Sequence, residues 1–380
     1  MKYQEALDYL ESLSEYGIMP GHESIERLCE YLGNPQEGIK FVHITGTNGE
    51  GSIPAYVASI LRCAGYRVGQ FLTPVILEYR EKIQVNERPI TQKDLCRGVE
   101  LIQEACEKIT AQGYPHPTSF DVEMTLAFWY FQERQCDLVL LETGTGSPED
   151  DADVVQNIGI DTIRSISMDQ AANVAKATAI RYGLERQRFN FDEYKNLEIG
   201  MAGKFQIEYA VLALETVKIL MQEGYPVKEK AIRQGLAKAK WQGSFNVIGK
   251  KPFFIVDGAC DEDSARRLAE SIEVYFTNKR IIYIMGVLHD SEYEKMIALT
   301  HKYADQILTV TPPQNSRGLV AYDLAVEVAK VHPQVTAVDS PEEAVEISRL
   351  LAGKEDVILA FGSLSYLGKL IKLVKGSRYF

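Results

Sequence analysis

The feature that most constrains the fold is an apolar, β-branched run that leads through a glycine-rich loop into a helical pattern. The run Lys40–Thr45 has the composition of a buried strand. From Ser52 to Cys63 apolar side chains recur at helical spacing, and three glycines lie in the six residues between these two segments. A strand, a glycine-rich turn and a helix in this order form half of a βαβ unit, which predicts a parallel α/β sheet.

The same alternation continues along the N-terminal part of the chain. A second short strand is expected at Arg67–Leu72, and Asp137–Glu142 is an apolar run closed by a carboxylate, as in a buried parallel strand. The loop Thr143–Pro148 would follow at the carboxyl end of that strand, where ligands bind in open α/β sheets. Helical patterns cover residues 3–16, 23–31, 92–112 and 119–134.

Beyond Trp241-Gln242-Gly243 the alternation of strands and helices restarts. Because 380 residues exceed the usual size of one hydrophobic core, we expect two α/β domains, at residues 1–243 and 250–380. The strands expected in the second domain are Phe253–Asp257, Arg280–Met285, Gln306–Thr311 and Asp356–Phe361, with helices at Asp263–Tyr275 and Ser291–Tyr303.

Charge and composition exclude several classes of protein. A formal net charge of -12 argues against general binding of nucleic acid or anionic membranes, although a local basic pocket for an anionic small molecule stays compatible with it. No apolar run approaches the roughly 20 residues that span a bilayer, and the polar N-terminus is unlike a signal peptide. The six cysteines form no C-x-x-C pair, so we expect reduced thiols in a cytoplasmic protein without a structural zinc site.

Several segments, in order, resemble the folylpolyglutamate synthase/dihydrofolate synthase family of the Mur ligase superfamily. Residues Thr45–Ser52 (T-G-T-N-G-E-G-S) are similar to its phosphate loop G-T-N-G-K-G-S, and Leu32–Gln36 matches L-G-N-P-Q. Further on, Gly203–Glu208 and Asp257–Ala259 resemble G-x-H/F-Q-x-E and the start of D-G-A-H-N. The resemblance runs from about residue 3 to residue 375. It implies a P-loop-type Mur-ligase central domain followed by a smaller Rossmann-like α/β C-terminal domain.

The resemblance also implies an activity, since the family's enzymes activate a folate carboxylate with ATP and join it to glutamate through an acyl phosphate. ATP and Mg²⁺ are the implied cofactors, with Ser52 and Glu142 as metal ligands. Another interpretation of Glu142 is a strand-end carboxylate that accepts hydrogen bonds from loop amides. The positions implied to bind the nucleotide are Gly46, Thr47, Asn48, Gly49, Glu50, Gly51, Ser52 and Asp257.

Glu50 is the most consequential departure from the family pattern, because it stands where the phosphate loop has a lysine. A unit-charge pair about 4 Å apart at an effective dielectric of 20 is worth roughly 4 kcal/mol, so exchanging attraction for repulsion should weaken ATP binding strongly. One interpretation is drift at a site no longer used. The other is a new carboxylate ligand for a metal beside Ser52 and Glu142.

Other positions that carry chemistry in the family also differ. Gln170 replaces a metal-binding histidine, and no counterpart of the segment with a carbamylated lysine is present in the 33 positions from Gln170 to Gly203. The remaining substitutions are Val75 for a folate-side histidine, Asp121 for a glutamate, Tyr209 for a base-contacting asparagine, Ser244 for an arginine, and Cys260-Asp261 for His-Asn.

The residues that build the fold match the family, whereas many that perform its chemistry do not. The first hypothesis is therefore a catalytically impaired paralogue that binds a small-molecule acid, a nucleotide or a protein partner. The alternative is an active ligase that adds glutamate or another amino acid to a folate-like or other carboxylic acid. A third is an unrelated catalytic use of the interdomain cleft.

Overall fold

The computed structural model describes residues 1–17, 23–45, 49, 51–73, 75–142, 161–167, 177–313 and 315–376. The chain divides into two compact units, Met1–Val174 with Leu212–Leu236, and Ala175–Val211 with Ala237–Phe380. The sequence-based domains are 1–243 and 250–380, and they differ from these units in that residues 175–211 and 237–243 belong to the second unit. That the two sequence-based domains fold independently stays a prediction.

The first unit is built on a six-stranded sheet with the order β4-β3-β2-β5-β1-β6. Strands β2, β5, β1 and β6 run parallel, and β3 pairs antiparallel with both β2 and β4. Its elements are α1 (Tyr3–Ser12), α2 (Glu23–Tyr31), β1 (Lys40–Thr45), α3 (Ser52–Ala64), β2 (Val68–Phe71), β3 (Ile83–Val85), β4 (Arg88–Pro89), α4 (Gln92–Ala111), α5 (Ser119–Glu133), β5 (Leu138–Glu142) and β6 (Asp161–Ser167).

The core of this unit lies between the sheet and four helices. Helices α1, α2, α4 and α5 bury their apolar faces together with Phe41, Phe71, Val139 and Leu141 of the sheet. Strand β1 lies between β5 and β6, and its Ile44 is beside Glu142 on one side and Ile166 on the other. Because these three strands are parallel, their carboxyl ends share one edge of the sheet, and α3 follows β1 at that edge.

The second unit has a six-stranded sheet with the order β10-β11-β15-β12-β13-β14, in which only the β10–β11 pair is antiparallel, and a separate antiparallel sheet β7-β8-β9. Its strands are β7 (Thr178–Arg181), β8 (Gln187–Phe191), β9 (Tyr194–Ile199), β10 (Asn246–Lys250), β11 (Phe253–Val256), β12 (Ile281–Met285), β13 (Gln306–Val310), β14 (Val335–Val338) and β15 (Val357–Phe361).

Helices connect the parallel strands of this second sheet and pack against it. Those within the second unit are α8 (Glu262–Tyr275), α9 (Tyr293–Thr300), α10 (Ala321–Ala329), α11 (Pro341–Leu351) and α12 (Leu364–Lys375). Two others, α6 (Gln206–Gln222) and α7 (Glu229–Lys238), continue from one unit into the other. In the part of the chain that the structure describes, every helix is too short or too polar to cross a membrane.

The α/β fold class predicted from the sequence is confirmed. The strands expected from continuous apolar runs are present. These strands were predictable because strands buried at every residue, such as β12 and β15, are continuous apolar runs in the sequence. The small sheet β7-β8-β9 was not predicted. Strand β8 buries alternate residues, β9 buries three of six and β7 buries none, so no continuous apolar run marks these strands.

Gly235 provides a test of the packing behind α3. A Cβ atom at Gly235 of α7 would lie 2.3 Å from Cα and 2.6 Å from the backbone N of Ile60 in α3. Backbone atoms inside a buried helix cannot move aside, so we expect Gly235→Ala to lower the free energy of unfolding by about 3 kcal/mol in urea denaturation.

The matched control is Gly98→Ala, where the added Cβ would meet the side chains of Leu126 and Trp129, which can rotate. It should cost less than Gly235→Ala. Alanine is the better helix former by about 1 kcal/mol, so unchanged or increased stability in Gly235→Ala would show that α3 and α7 are not in close contact.

Candidate functional site

The described part of the phosphate loop has the backbone of a glycine-dependent turn. Gly49 has a φ of 89°, a left-handed conformation that favours glycine, and its carbonyl accepts a hydrogen bond from Ile53 N at 2.9 Å. Pro54 has no N–H, so backbone donors for a phosphate must come from residues before Ile53. The other loop positions, Gly46, Thr47, Asn48 and Glu50, lie outside the described residues.

The two proposed metal ligands belong to neighbouring elements. Ser52 is the first residue of α3 and is almost completely buried, and Gly51 precedes it as the N-cap. Glu142 ends β5 beside Ile44, one residue before β1 ends and the loop begins. The backbone thus brings both positions to the same sheet edge, and their role as metal ligands stays a prediction. Among the described side chains, no group of three His, Cys, Asp or Glu could hold a metal ion.

Asp121, the acidic residue that stands where the resembled family has a glutamate, caps a helix. Its Oδ2 accepts hydrogen bonds from Thr118 N at 2.9 Å and Thr118 Oγ1 at 2.8 Å, and its own amide donates to Thr118 Oγ1. These contacts form a capping box at the start of α5. Asp121 therefore has a structural role that accounts for a carboxylate at this position.

A buried polar cluster close to Asp121 was missed by the sequence analysis. Lys82 Nζ lies 2.7 Å from Glu123 Oε2, with both side chains largely buried, and the Tyr79 hydroxyl donates to Glu123 Oε1 at 2.9 Å. Burial and the Glu123 carboxylate raise the pKa of Tyr79 well above its usual value. Lys82 belongs to the family-like segment E-K-I-Q-V-N, but one sequence does not reveal which carboxylate pairs with it.

Asp257, in the second unit, is a buried carboxylate whose two oxygens are both engaged. Oδ2 accepts a hydrogen bond from Phe245 N at 2.7 Å, and Oδ1 accepts one from Ala259 N at 2.8 Å. Burial raises its pKa to about 6, although the two backbone hydrogen bonds act in the opposite direction. Asp257 therefore ties the segment before β10 to the end of β11, and a nucleotide contact by this residue stays a prediction.

The glycine next to Asp257 allows two chain segments to meet. Gly258 N donates to Gly243 O at 2.9 Å, and a Cβ atom at Gly258 would lie 2.5 Å from Leu364 Cδ2. Between the segments, Ser244 Oγ accepts a hydrogen bond from Gln206 Nε2 at 3.3 Å. Asp257 and Gly258, which resemble part of a nucleotide motif, thus also connect the end of β11 to the segment before β10.

Tyr209 and Asp261 stand at positions where the resembled family has residues that carry chemistry. In this chain their contacts are those of packing and helix capping. The Tyr209 ring is 5.5 Å from Phe205, and the Arg267 guanidinium lies 5.6 Å above it. Burial raises the pKa of Tyr209 to about 12. Asp261 caps α8 by accepting a hydrogen bond from Ser264 N at 2.8 Å, and Cys260 before it is exposed. These contacts favour the interpretation of Tyr209 as a packing residue.

The raised pKa of Asp257 predicts a stability change with pH. The folded protein binds this proton more tightly than the unfolded chain, so the contribution is present below about pH 4 and is lost as the pH rises through about 6. A difference of about two pKa units corresponds to about 3 kcal/mol. We therefore expect the free energy of unfolding of the parent, minus that of Asp257→Asn, to fall between pH 4 and pH 7.

Urea denaturation across this pH range measures the difference, and exposed Asp263→Asn in α8 is the matched control. Asparagine must turn its NH₂ group toward one of the two amide donors, which adds an offset that does not depend on pH. A difference that is constant from pH 4 to pH 7, or that rises, would contradict a buried carboxylate with a raised pKa.

The comparisons with known proteins agree over almost the whole chain. Residues 245–364 match the family model of the Mur ligase, glutamate ligase domain. The dihydrofolate synthase/folylpolyglutamate synthase of Bacillus subtilis (strain 168) is 26% identical over 431 aligned positions, covering 98% of this chain and 99% of the relative. The folylpolyglutamate synthase of Lacticaseibacillus casei is also 26% identical, over 82% of this chain and 86% of its own length.

Solved structures lead to the same family. The folylpolyglutamate synthase from Thermotoga maritima superimposes with a TM-score of 0.80 at 25% identity, covering 100% of this chain and 98% of its own. For fold alone, the Mycobacterium tuberculosis folylpolyglutamate synthase complexed with ADP and AMPPCP gives a TM-score of 0.83 at 18% identity, with 99% of each chain covered. With these matches, the chain is similar over almost its whole length to folylpolyglutamate synthases and dihydrofolate synthases, and it shares their two-domain α/β Mur ligase fold.

Proposed function

We propose that this protein is a folylpolyglutamate-synthase-like binding protein with an impaired nucleotide site. It keeps the scaffold of an ATP-dependent ligase that joins an acid to an amino acid. On this proposal it binds a folate-like or other carboxylic acid, or a protein partner, and ligates poorly or not at all. ATP and Mg²⁺ are the cofactors whose binding is weakened.

The observation that carries the proposal is the glutamate at position 50 of the phosphate loop. The backbone around it fits a phosphate, since Gly49 adopts the left-handed conformation and α3 begins at Ser52. The charge does not fit. Phosphoryl transfer depends on neutralising the β- and γ-phosphates, and a carboxylate at the lysine position opposes that.

The second unit supports the proposal independently of the loop. Tyr209 is covered by Phe205 and Arg267, and Asp261 caps a helix where the family has an asparagine. Ser244 cannot supply the positive charge of the arginine that it replaces. Each position has a packing or capping role in this chain, so its side chain can be explained without a nucleotide.

An active ligase is the second candidate, favoured by two observations. The two curated relatives described above are named as synthases, and one aligns with 98% of this chain and 99% of its own length. The strand register also brings Glu142 and Ser52 to the same sheet edge as the loop. In this alternative the protein adds glutamate or another amino acid to a carboxylic acid through an acyl phosphate, with Mg²⁺ at Ser52 and Glu142.

The proposal predicts weak binding of Mg-ATP. We expect calorimetric titration of the full chain to show no saturation below about 1 mM, a binding free energy near -4 kcal/mol. The B. subtilis relative, titrated under the same conditions, is the positive control. Micromolar affinity in this protein would contradict an impaired nucleotide site and would favour the active ligase.

A second prediction separates binding from turnover. Glu50→Lys should bind Mg-ATP at least about tenfold more tightly than the parent, because it restores a cation at the phosphates. Glu50→Gln, the matched control, removes the negative charge without adding a positive one and should lie between them. Neither variant should release ADP with reduced folate and glutamate, because catalytic groups that act together fail together.

A coupled ADP measurement on the parent and both variants tests this second prediction. Glutamate-dependent ADP release by Glu50→Lys would mean that the other substitutions are tolerated and that one residue causes the impairment. Release by the parent protein would establish the active-ligase alternative.

A further inference from the structure

In the small sheet β7-β8-β9 of the second unit, β8 and β9 have one buried and one exposed face, and β7 is exposed at every residue. From the buried face Gln187, Phe189, Phe191, Leu197 and Ile199 point into the unit, each at most 1% exposed. Side chains alternate along a strand, so the residues between these point to solvent. The exposed face is therefore formed by side chains of regular strands, whose positions are fixed by the sheet, and not by side chains of a loop.

Arginines dominate one end of this exposed face. Arg181 of β7 is paired in register with Arg188 of β8, and Arg188 is paired with Glu198 of β9. Arg186, one residue before β8, approaches the same carboxylate, with Nη1 at 2.8 Å from Glu198 Oε1, while Arg188 Nε lies 3.1 Å from Oε2. We call Arg181, Arg186 and Arg188, with Glu198, the arginine face.

The arginine face carries more positive charge than its own contacts neutralise. The guanidinium groups of Arg186 and Arg188 share the single carboxylate of Glu198, and within the described residues Arg181 forms no ion pair. The side chains of Arg186 and Arg188 are 68% and 54% exposed. The result is a local surplus of two positive charges on a protein whose net charge is -12.

Folding does not account for this arrangement. Like charges directly opposite each other in neighbouring strands destabilise a sheet, and exposed ion pairs contribute only about 0–1 kcal/mol. Guanidinium groups are, however, well suited to carboxylates, which they bind with two parallel hydrogen bonds. Neighbouring strands are about 4.8 Å apart, so Arg181 and Arg188 can each take a carboxylate of one chain that crosses the sheet.

We propose that the arginine face binds an acidic, α-linked peptide segment of a partner protein. The argument for this partner is charge complementarity. A segment with adjacent carboxylates supplies the negative charge needed to neutralise the arginines that Glu198 alone does not neutralise. The inference deepens the proposed function by naming the chemistry of the partner, and it rests on that function only in treating the protein as a binding protein. It requires neither ATP nor folate.

The test uses the full chain and a fluorescent hexa-α-glutamate peptide at low ionic strength, followed by anisotropy. We expect saturable binding that weakens as salt is added, because exposed charges are screened within about 10 Å at 0.1 M salt. Arg181→Gln and Arg188→Gln should each weaken binding about threefold, as expected for the loss of one exposed ion pair. Glu198→Gln should strengthen it by a similar factor, an increase that a purely structural role would not produce.

Arg266→Gln is the matched control, because Arg266 is 51% exposed and pairs with Glu262 at 2.7 Å on α8 of the same unit. It should leave peptide binding unchanged. Thermal unfolding checks that every variant folds, and Arg181→Gln should be no less stable than the parent because it removes a like-charge pair.

Three results would overturn the proposal. The first is no peptide binding up to about 5 mM, which corresponds to a binding free energy near -3 kcal/mol. The second is binding whose affinity is unchanged in Arg181→Gln and Arg188→Gln. The third is tighter binding of penta-γ-glutamate than of the α-linked peptide. The last would assign the surface to a folate-type tail. Because these assays contain no nucleotide or pterin, their outcome is independent of the Mg-ATP titrations that test the proposed function.

Discussion

The parallel pairing of β1 between β5 and β6 is the constraint on which the first unit depends. It aligns the carboxyl ends of three strands at one edge of the sheet, with Ile44 beside Glu142. The glycine loop and α3 start from that edge, and α3 is held by the close approach of Gly235 to Ile60. The left-handed Gly49 and the start of α3 at Ser52 are features of the backbone, whereas the residue at position 50 sets the charge of the loop.

This separation between backbone and side chain explains how the chain can share the fold of folylpolyglutamate synthases and still differ from them in charge. Buried strands and close glycine contacts tolerate little change, because added atoms meet a densely packed interior. An exposed or partly exposed polar position can change its charge without such a cost. A glutamate at position 50, where the resembled motif has a lysine, changes the charge of the loop, and weaker binding of ATP stays a prediction.

Individual residues show how far sequence reasoning reached. The strands β1, β5, β11, β12, β13 and β15 were predicted because buried parallel strands are continuous apolar runs. Strands β7 to β9 were missed, since each is exposed at several positions and no such run marks them. For the same reason the sequence analysis did not reveal Arg181 beside Arg188, seven positions away along the chain but opposite each other across two strands. Local spacing carries no information about such a pairing.

Asp257 shows the limit most clearly. The motif Asp257-Gly258-Ala259 predicts a nucleotide contact, yet its oxygens accept hydrogen bonds from the amides of Phe245 and Ala259. By itself the sequence determined the α/β class, the resemblance to folylpolyglutamate synthases and the negative charge at position 50, because these follow from apolar periodicity, ordered motifs and residue identity. Only the tertiary structure decided which carboxylates cap helices, which carboxylates link two chain segments, and which arginines share a surface. Those roles depend on contacts between residues that are distant in the chain, and such contacts exist only once the chain has packed.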